Sequence, residues 1–400
     1  MRKTINLSAS EMNELPQTTD VAIIGGGVIG LAVARALSLR GVANVTVIER
    51  SSFGAESSGA AAGMLGPQAE ADTHDEFFSL CSRSRDLYPA FAAQLFEETG
   101  IDIELETAGT LYLGLNEEDV KELERRYEWQ AGAGLAVERL SAESARKLEP
   151  STSSGVRLAL LFPRDTQVEN RLLIKALVAS NQSRGVNLVD GTSVTSVKIA
   201  RGRIKGLETS RGFVATGRVV VAAGGWSSLL TASQESNQAA SDSALPDLGI
   251  EPVRGQMLCF DTNPAIFSHV IYSPRGYVVP RRDGRLLAGS TTEHVGFDKR
   301  TTDEGMRSIH SAATEISPLI RSLTRRETWA GLRPRAADGL PVIGAYAEIA
   351  GLFYATGHYR NGILLAPITG ELIADTVTNS AASSLLNAFS PDRFARVFAG

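Results

Sequence analysis

TTDVAIIGGGVIGLAVARALSLRGVANVTVIER, residues 18–50, opens on an apolar run, breaks into three glycines and continues with helix-forming residues. The run Val21–Ile24 is short and wholly apolar, as expected of a strand buried on both faces. Gly25, Gly26 and Gly27 turn the chain, residues 28–40 read as a helix, and a second apolar run, Val45–Ile48, ends on an acid, Glu49. A turn without side chains lets backbone N–H groups approach a ligand closely, and the helix N-terminus behind it favours negative charge, so a pyrophosphate fits there. Gly25, Gly27 and Gly30 satisfy G-x-G-x-x-G, and Ala34 is small enough for the helix to pack on the strand. Glu49 lies roughly 20 residues further on, placed to accept hydrogen bonds from ribose hydroxyls. Glycines alone would mark an ordinary turn; with both strands and the acid they predict a dinucleotide cradle. The acidic strand end disfavours a 2′-phosphate, which leaves NAD and FAD open.

The 400 residues suggest two domains, and a composition 43% hydrophobic and 21% charged is that of an ordinary globular chain. A formal charge of −5 without a basic cluster argues against nucleic acid and against an anionic membrane surface. Residues 1–19 are polar, and the most apolar stretch, from Val21, is interrupted by glycines and an arginine. Neither a signal peptide nor a transmembrane helix is expected, and the cytoplasm is the expected location. Cys81 and Cys259 are too few and too far apart for a metal motif or a disulfide framework, and His74, His269, His294, His310 and His358 lack ligand spacing. No metal is expected.

No internal repeat is present, and the one biased segment, residues 231–249, reads as a polar Ser/Ala-rich loop at a domain boundary. Before it, RVVVAAGGWSSLL predicts a buried strand entering a second glycine turn and helix. After it, RGQMLCFD, HVIYSP and GYVVPRRDGRLLAGSTTE predict an antiparallel sheet with Asp283-Gly284 as a hairpin turn. GLFYATGHYRNGILLAPITGELIADTV then repeats the strand, turn and helix, with Pro367 expected in the first helical turn.

Three glycine turns, near residues 25, 224 and 360, favour FAD, because a plain NAD dehydrogenase has no need of the last two. At this level of detail the chain resembles the D-amino acid oxidase family of flavoproteins, and within it the glycine oxidases of thiamine biosynthesis. The resemblance covers about residues 20–395 and is carried by VAIIGGGVIGLAVA, SSGAAAGMLGPQAE, VVVAAGGWSS, GYVVPRRDGRLLAGSTT, WAGLRPRAADGLPVIG and GHYRNGILLAPITG. It implies an α/β fold: a Rossmann-like FAD domain of the glutathione-reductase type with a second, mainly antiparallel-sheet substrate domain. The FAD domain would take residues 20–100, 164–247 and 325–380, and the substrate domain 101–163 and 248–324. Residues 1–19 would be an extension and 381–400 a tail.

The resemblance also implies site residues. Val28 and Ile29 would meet the flavin pyrophosphate, Glu49 and Arg50 the adenosine, and Val197 the adenine through its backbone, with Gly224 at the second turn. Ser57 and Ser58 would donate hydroxyl hydrogens to the phosphates or ribityl chain, and Ala62, Gly63 and Met64 would pass the isoalloxazine. His358, Tyr359, Arg360, Asn361, Gly362, Ile363 and Leu364 would wrap the pyrimidine edge, where a helix N-terminus can stabilise negative charge. No cysteine lies near the expected flavin, so noncovalent FAD is implied. Arg333 in a G-L-R-P turn, Arg360 and Tyr277 match the family's substrate-facing residues, and an arginine's planar fork suits a carboxylate. Arg335 is expected to face solvent. Arg275 and Thr292 stand where relatives often carry histidine and methionine. Arg275 in the pocket would favour an acidic D-amino acid; on a solvent-facing loop it would not.

The implied reaction is hydride transfer from the substrate α-carbon to FAD, hydrolysis of the resulting imine, and return of the electrons to O₂ as hydrogen peroxide. Glycine would yield glyoxylate and ammonia. The expected partners are a small amine or amino acid, O₂, and further copies of the chain in a homo-oligomer. Alternatives are a D-amino acid dehydrogenase or sarcosine-type oxidase, and a noncatalytic flavin-binding protein.

Overall fold

The computed structural model describes residues 14–234, 241–379 and 383–394. Val21–Ile24, Val45–Ile48, Asn187–Val189, Val219–Val221 and Leu352–Thr356 form one parallel sheet, with Val342–Ala345 as an antiparallel edge. Its central strand is buried on both faces, hence its unbroken apolar run. Val21 and Ile23 turn to a core built from the helices Val28–Leu39, Glu76–Thr99, Asn170–Ser183 and Gly362–Asn379. Ala22 and Ile24 turn to the opposite core, closed by a five-stranded sheet over Val197, Ile199 and Leu207.

The segment 231–249, expected as a loop, supplies two strands of that second sheet. Thr231–Gln234 runs parallel to Val194–Ala200 and antiparallel to Ser241–Ala244, so polar composition concealed a hairpin; residues 235–240 lie outside the described residues. The turn after Val219–Val221 continues as a 3₁₀ helix, Gly224–Leu229, instead of the expected α-helix.

Met64–Leu65 pairs with Thr166–Gln167, and the remaining strands form an eight-stranded sheet drawn from residues 110–162 and 251–335, antiparallel except where Val270–Ser273 joins Thr110–Gly114. One expected boundary is corrected. Arg325–Arg335, assigned by sequence to the FAD domain, pairs with Glu251–Asp261 along nearly its whole length. Gly331 and Pro334 read as a turn, but at the edge of a sheet both are tolerated within a strand. Arg333 therefore sits in a strand opposite Val253. One face of this sheet packs on the helix Asp303–Ile316, and the other turns Met257 and Tyr277 toward Ala62 and Met64.

Pro367 lies beyond the first turn of Gly362–Asn379, a second correction. The expected tail is also part of the body: Ser384–Phe389 buries Leu386 and Phe389 in the helical core, and Arg393 bonds to Asp338. Residues 1–13 of the expected extension, and 380–382 and 395–400, lie outside the described residues.

Candidate active site

A cavity of about 370 Å³ opens at the carboxyl ends of the parallel strands, reaching Ile24, Ile48, Ala222 and Thr356 and extending under the eight-stranded sheet to Met257 and Tyr277. A strand-end crevice is where a parallel sheet binds its ligand, because the loops there diverge and helix N-termini converge. Its two ends differ in chemistry.

The first end fits a dinucleotide. Gly25 and Gly27 line it without side chains; a Cβ at Gly25 would come within 2.4 Å of the Ala222 carbonyl oxygen, and one at Gly27 within 3.1 Å of Ser58 Oγ. Gly27 caps the helix Val28–Leu39 with no side-chain hydrogen bond, so beyond the Val28 N–H, which Ser58 Oγ accepts at 3.0 Å, first-turn donors remain for an anion. Ser58 keeps its own hydroxyl hydrogen to donate. The Ser57 hydroxyl, by contrast, donates to the Leu332 carbonyl and ties this loop to the Arg333 strand. Glu49 Oε2 accepts from Gly26 N at 2.8 Å and Oε1 from Ser51 N at 2.9 Å, which fixes the carboxylate with lone pairs still open for ribose hydroxyls. Arg50 stacks 3.7 Å from the centre of the Trp226 ring and pairs with Glu56, forming one wall.

In the middle, Ala62, Gly63 and Met64 pass along the cavity. Gly63 has φ +73°, and a Cβ there would meet the Val168 carbonyl oxygen at 2.1 Å, so only glycine lets the strand turn. Opposite, Tyr359 adopts φ +46° and donates its N–H to Pro334 O at 2.8 Å, which brings residues 358–363 around the cavity ahead of the helix Gly362–Asn379. Such a conformation in a non-glycine residue costs on the order of 1–3 kcal/mol and persists where the surroundings impose it.

The second end is built around Arg333. Its Nη1 donates to Thr291 O at 3.0 Å and Nη2 to Ser290 Oγ at 2.7 Å, and among the described residues no carboxylate pairs with it. Burial lowers its pKa, a sign of a cation short of compensation. The guanidinium lies where a side chain of Gly255 would be: an added Cβ would sit 2.1, 2.2 and 2.3 Å from Nη2, Cζ and Nη1. Tyr277, buried, points its hydroxyl at Met257 Sδ, 3.5 Å away. Arg360 faces Glu70 at 3.5 Å, and that carboxylate also accepts from the Tyr272 hydroxyl at 2.7 Å.

Five expected contacts lie off the lining. Gly30 packs under the turn, where a Cβ would strike Gly25 O at 2.0 Å. Val197 is fully buried between the sheets, and Thr192, Ser193 and Val194 line the cavity in its place. Leu364 turns into the helical core. Thr291 rather than Thr292 meets Arg333. Arg275 is held away by Asp119, at 2.8 Å, and Glu315, at 2.5 Å, so it is not a second pocket cation. Arg335 pairs with Glu251 at 3.1 Å and is about one-third exposed. The lining also includes Gly255, Met257 and Trp226, none of which sequence reasoning singled out, and Glu70.

Neither the lining histidine nor the cysteines are poised for acid–base chemistry. His358 is buried, its Nε2 is 3.0 Å from Thr369 Oγ1, and burial depresses its pKa to about 3, which keeps it neutral. Cys81 and Cys259 are buried outside the lining, their thiols made less acidic by burial. No described helix is long and apolar enough to cross a membrane, and the described residues contain no cluster of metal-ligating side chains.

The family described as DAO, FAD dependent oxidoreductase, matches residues 20–376. Glycine oxidase of Geobacillus kaustophilus is 36% identical over 377 residues, 94% of this chain and 97% of that protein. The bifunctional protein ThiO/ThiG of Trichormus variabilis is 36% identical over 390 residues, but the chain spans about half of its length, 55%. The crystal structure of glycine oxidase from Geobacillus kaustophilus superposes with a TM-score of 0.86 at 34% identity, covering 94% of this chain and 99% of that one. A glycine turn beside a fixed Glu49 carboxylate suits a dinucleotide, a match of this extent makes FAD the cofactor, and the chain belongs to the FAD-dependent oxidoreductase family.

Proposed function

We propose that the protein is an amino-acid oxidase of the glycine oxidase type, which converts glycine and other small amines or D-amino acids to the corresponding oxo acid, ammonia and hydrogen peroxide. For glycine the oxo acid is glyoxylate, and the imine that precedes it would serve the thiazole branch of thiamine biosynthesis. One observation carries the reading: Arg333 is a partly buried guanidinium at the cavity's inner end, held by neutral acceptors and, among the described residues, lacking a carboxylate. A substrate carboxylate is the natural complement, bound bidentately by the arginine fork. The names of the full-length relatives support the same substrate.

FAD bound here would accept the hydride and pass the electrons to O₂. The chain's own residues position and exclude. Arg333 fixes the carboxylate and thereby the α-carbon; Tyr277 and Met257 supply an apolar wall that limits side-chain size. The helix Gly362–Asn379 directs its N-terminus at the cavity, where it favours negative charge. The lining histidine, His358, is bonded to Thr369 and made a weak base by burial, so this reading assigns it no proton transfer and rests on proximity and electrostatics. The cofactor is noncovalent in this reading, in keeping with cysteines that lie off the lining.

An anaerobic screen tests it. Glycine, sarcosine and a panel of D-amino acids are mixed with the purified flavoprotein and absorbance bleaching is followed. Reduction by glycine or a small D-amino acid, with peroxide formed on admitting air, is expected. No bleaching by any of them would refute the proposal, and bleaching without peroxide would reassign the protein as a dehydrogenase.

A further inference from the structure

Three arginines line the cavity, and they are not equivalent. Arg50 is paired with Glu56 at 2.6 Å, Arg360 faces Glu70 at 3.5 Å, and Arg333 has no carboxylate partner among the described residues. Glu70 is the acid at the substrate end, on the lining near Tyr277 and Arg360. It lies at the end of a helix of only four residues, Pro67–Glu70, which could not hold a charged side chain in place by its own stability.

The fold holds that helix by other means. Asp165 is buried beneath it and accepts from Gln68 N at 3.3 Å and Ala69 N at 2.9 Å, with Arg85 Nη1 behind it at 3.2 Å. Arg126 donates to the carbonyls of Ala69 and Ala71, and Gln68 exchanges hydrogen bonds with Gln130. The backbone on both sides of Glu70 is thus anchored by buried polar groups, and the Tyr272 hydroxyl fixes the carboxylate itself. Arg360, in turn, follows Tyr359, whose unusual φ sets where its side chain begins.

We propose that Glu70 is a specificity-determining residue: by neutralising Arg360 it leaves Arg333 as the single anion receptor, so the cavity accepts amines with one carboxylate and rejects those with two. The inference rests on the proposed function only in taking Arg333 as the carboxylate receptor. A second carboxylate beyond Arg333 would meet an already paired arginine and a like charge, both unfavourable in an enclosed site. Arg275, two residues before Tyr277, is sequestered in the same manner by Asp119 and Glu315.

The test reads ligand binding. Acetate and malonate are titrated into the FAD-loaded protein at neutral pH, and dissociation constants are taken from perturbation of the flavin absorption spectrum. The parent should favour acetate. Glu70→Gln, which keeps the shape and an acceptor for Tyr272, should shift the malonate-to-acetate preference toward malonate by about tenfold or more, because Arg360 is then an unpaired cation. The gain should vanish in Glu70→Gln combined with Arg360→Met. Should Glu70→Gln lose its flavin, Arg360→Met alone serves: it leaves Glu70 unpaired and should shift the preference further toward acetate. An unchanged preference in flavin-loaded Glu70→Gln, or in Arg360→Met, overturns the proposal. Failure of the parent to bind either anion, together with the absence of reduction by any amino acid, would instead bring down the reading of Arg333 itself.

Discussion

Tyr88 donates its hydroxyl hydrogen to the main-chain carbonyl of Ile363, the acceptor left without a helical donor by Pro367 four residues on. One turn earlier on the same long helix, Ser84 Oγ donates to the Leu364 carbonyl at 2.6 Å. A proline inside a helix costs about 3 kcal/mol when its freed carbonyl finds no other partner. Here a neighbouring helix supplies the donors, so the helix can begin with Gly362 and Ile363 on the cavity lining. Tyr88→Phe keeps the ring and removes the donor. It should destabilise the protein by about 1–3 kcal/mol, the cost of a buried carbonyl left unpaired. Flavin should also dissociate more readily, and a melting temperature and flavin content equal to the parent's would show that the bond contributes nothing.

Arg333→Ala removes the cation that the proposed function requires. Truncating one member of a desolvated charge pair costs on the order of 2–5 kcal/mol, so kcat/KM for glycine should fall by roughly 30-fold to several thousand-fold. Flavin occupancy should remain as in the parent. Near-parental kinetics at full occupancy would remove Arg333 from the substrate site.

Gly255→Ala probes the same arginine without touching it. The new methyl would overlap the guanidinium, which is the far end of a flexible side chain and can swing aside. Folding stability should change by no more than about 0.5 kcal/mol, because the strand accepts alanine. Activity should drop by about tenfold or more through loss of the carboxylate receptor's position. A variant that unfolds, or one that retains full activity, would contradict the placement of the guanidinium against Gly255.

What could be read from the sequence follows from how locally each feature is encoded. The cradle was legible because strand, glycine turn, helix and Glu49 lie within one short stretch, each dictated by its neighbours in the chain. Gly255 was not, because its role depends on a strand far along the sequence. Only the pairing of Glu251–Asp261 with Arg325–Arg335 puts it beneath the Arg333 guanidinium. The same pairing turned an apparent G-L-R-P turn into an edge strand. Arg275 was ambiguous for a related reason, since Asp119 and Glu315, which hold it, come from two other elements. Glu70 lay within a segment that carried the family resemblance, but only the geometry shows that it faces Arg360.

His358 gives the structure a measurable pH signature. Its ring is buried against Thr369, and burial lowers its pKa to about 3 from an ordinary 6.5. In the unfolded chain the imidazole takes up a proton as the pH falls through 6.5, whereas in the folded protein it stays neutral to about 3. Across that window the unfolded state binds more protons, so the contribution is fully present above 6.5 and is lost as the pH falls, with a slope approaching about 1.4 kcal/mol per pH unit. Asp165 works with the opposite sign: burial raises its carboxyl from 3.8 to about 6, so its contribution is present below 3.8 and lost as the pH rises toward 6. Comparison with His358→Gln, which can keep a hydrogen bond to Thr369, isolates the histidine from this and other groups. Denaturant unfolding of the FAD-saturated proteins should show the parent losing stability relative to the variant between about pH 6.5 and pH 4. A parent-minus-variant difference that stays flat across that range would mean that the imidazole is already charged in the folded protein, and would reopen it as an acid or base in the site.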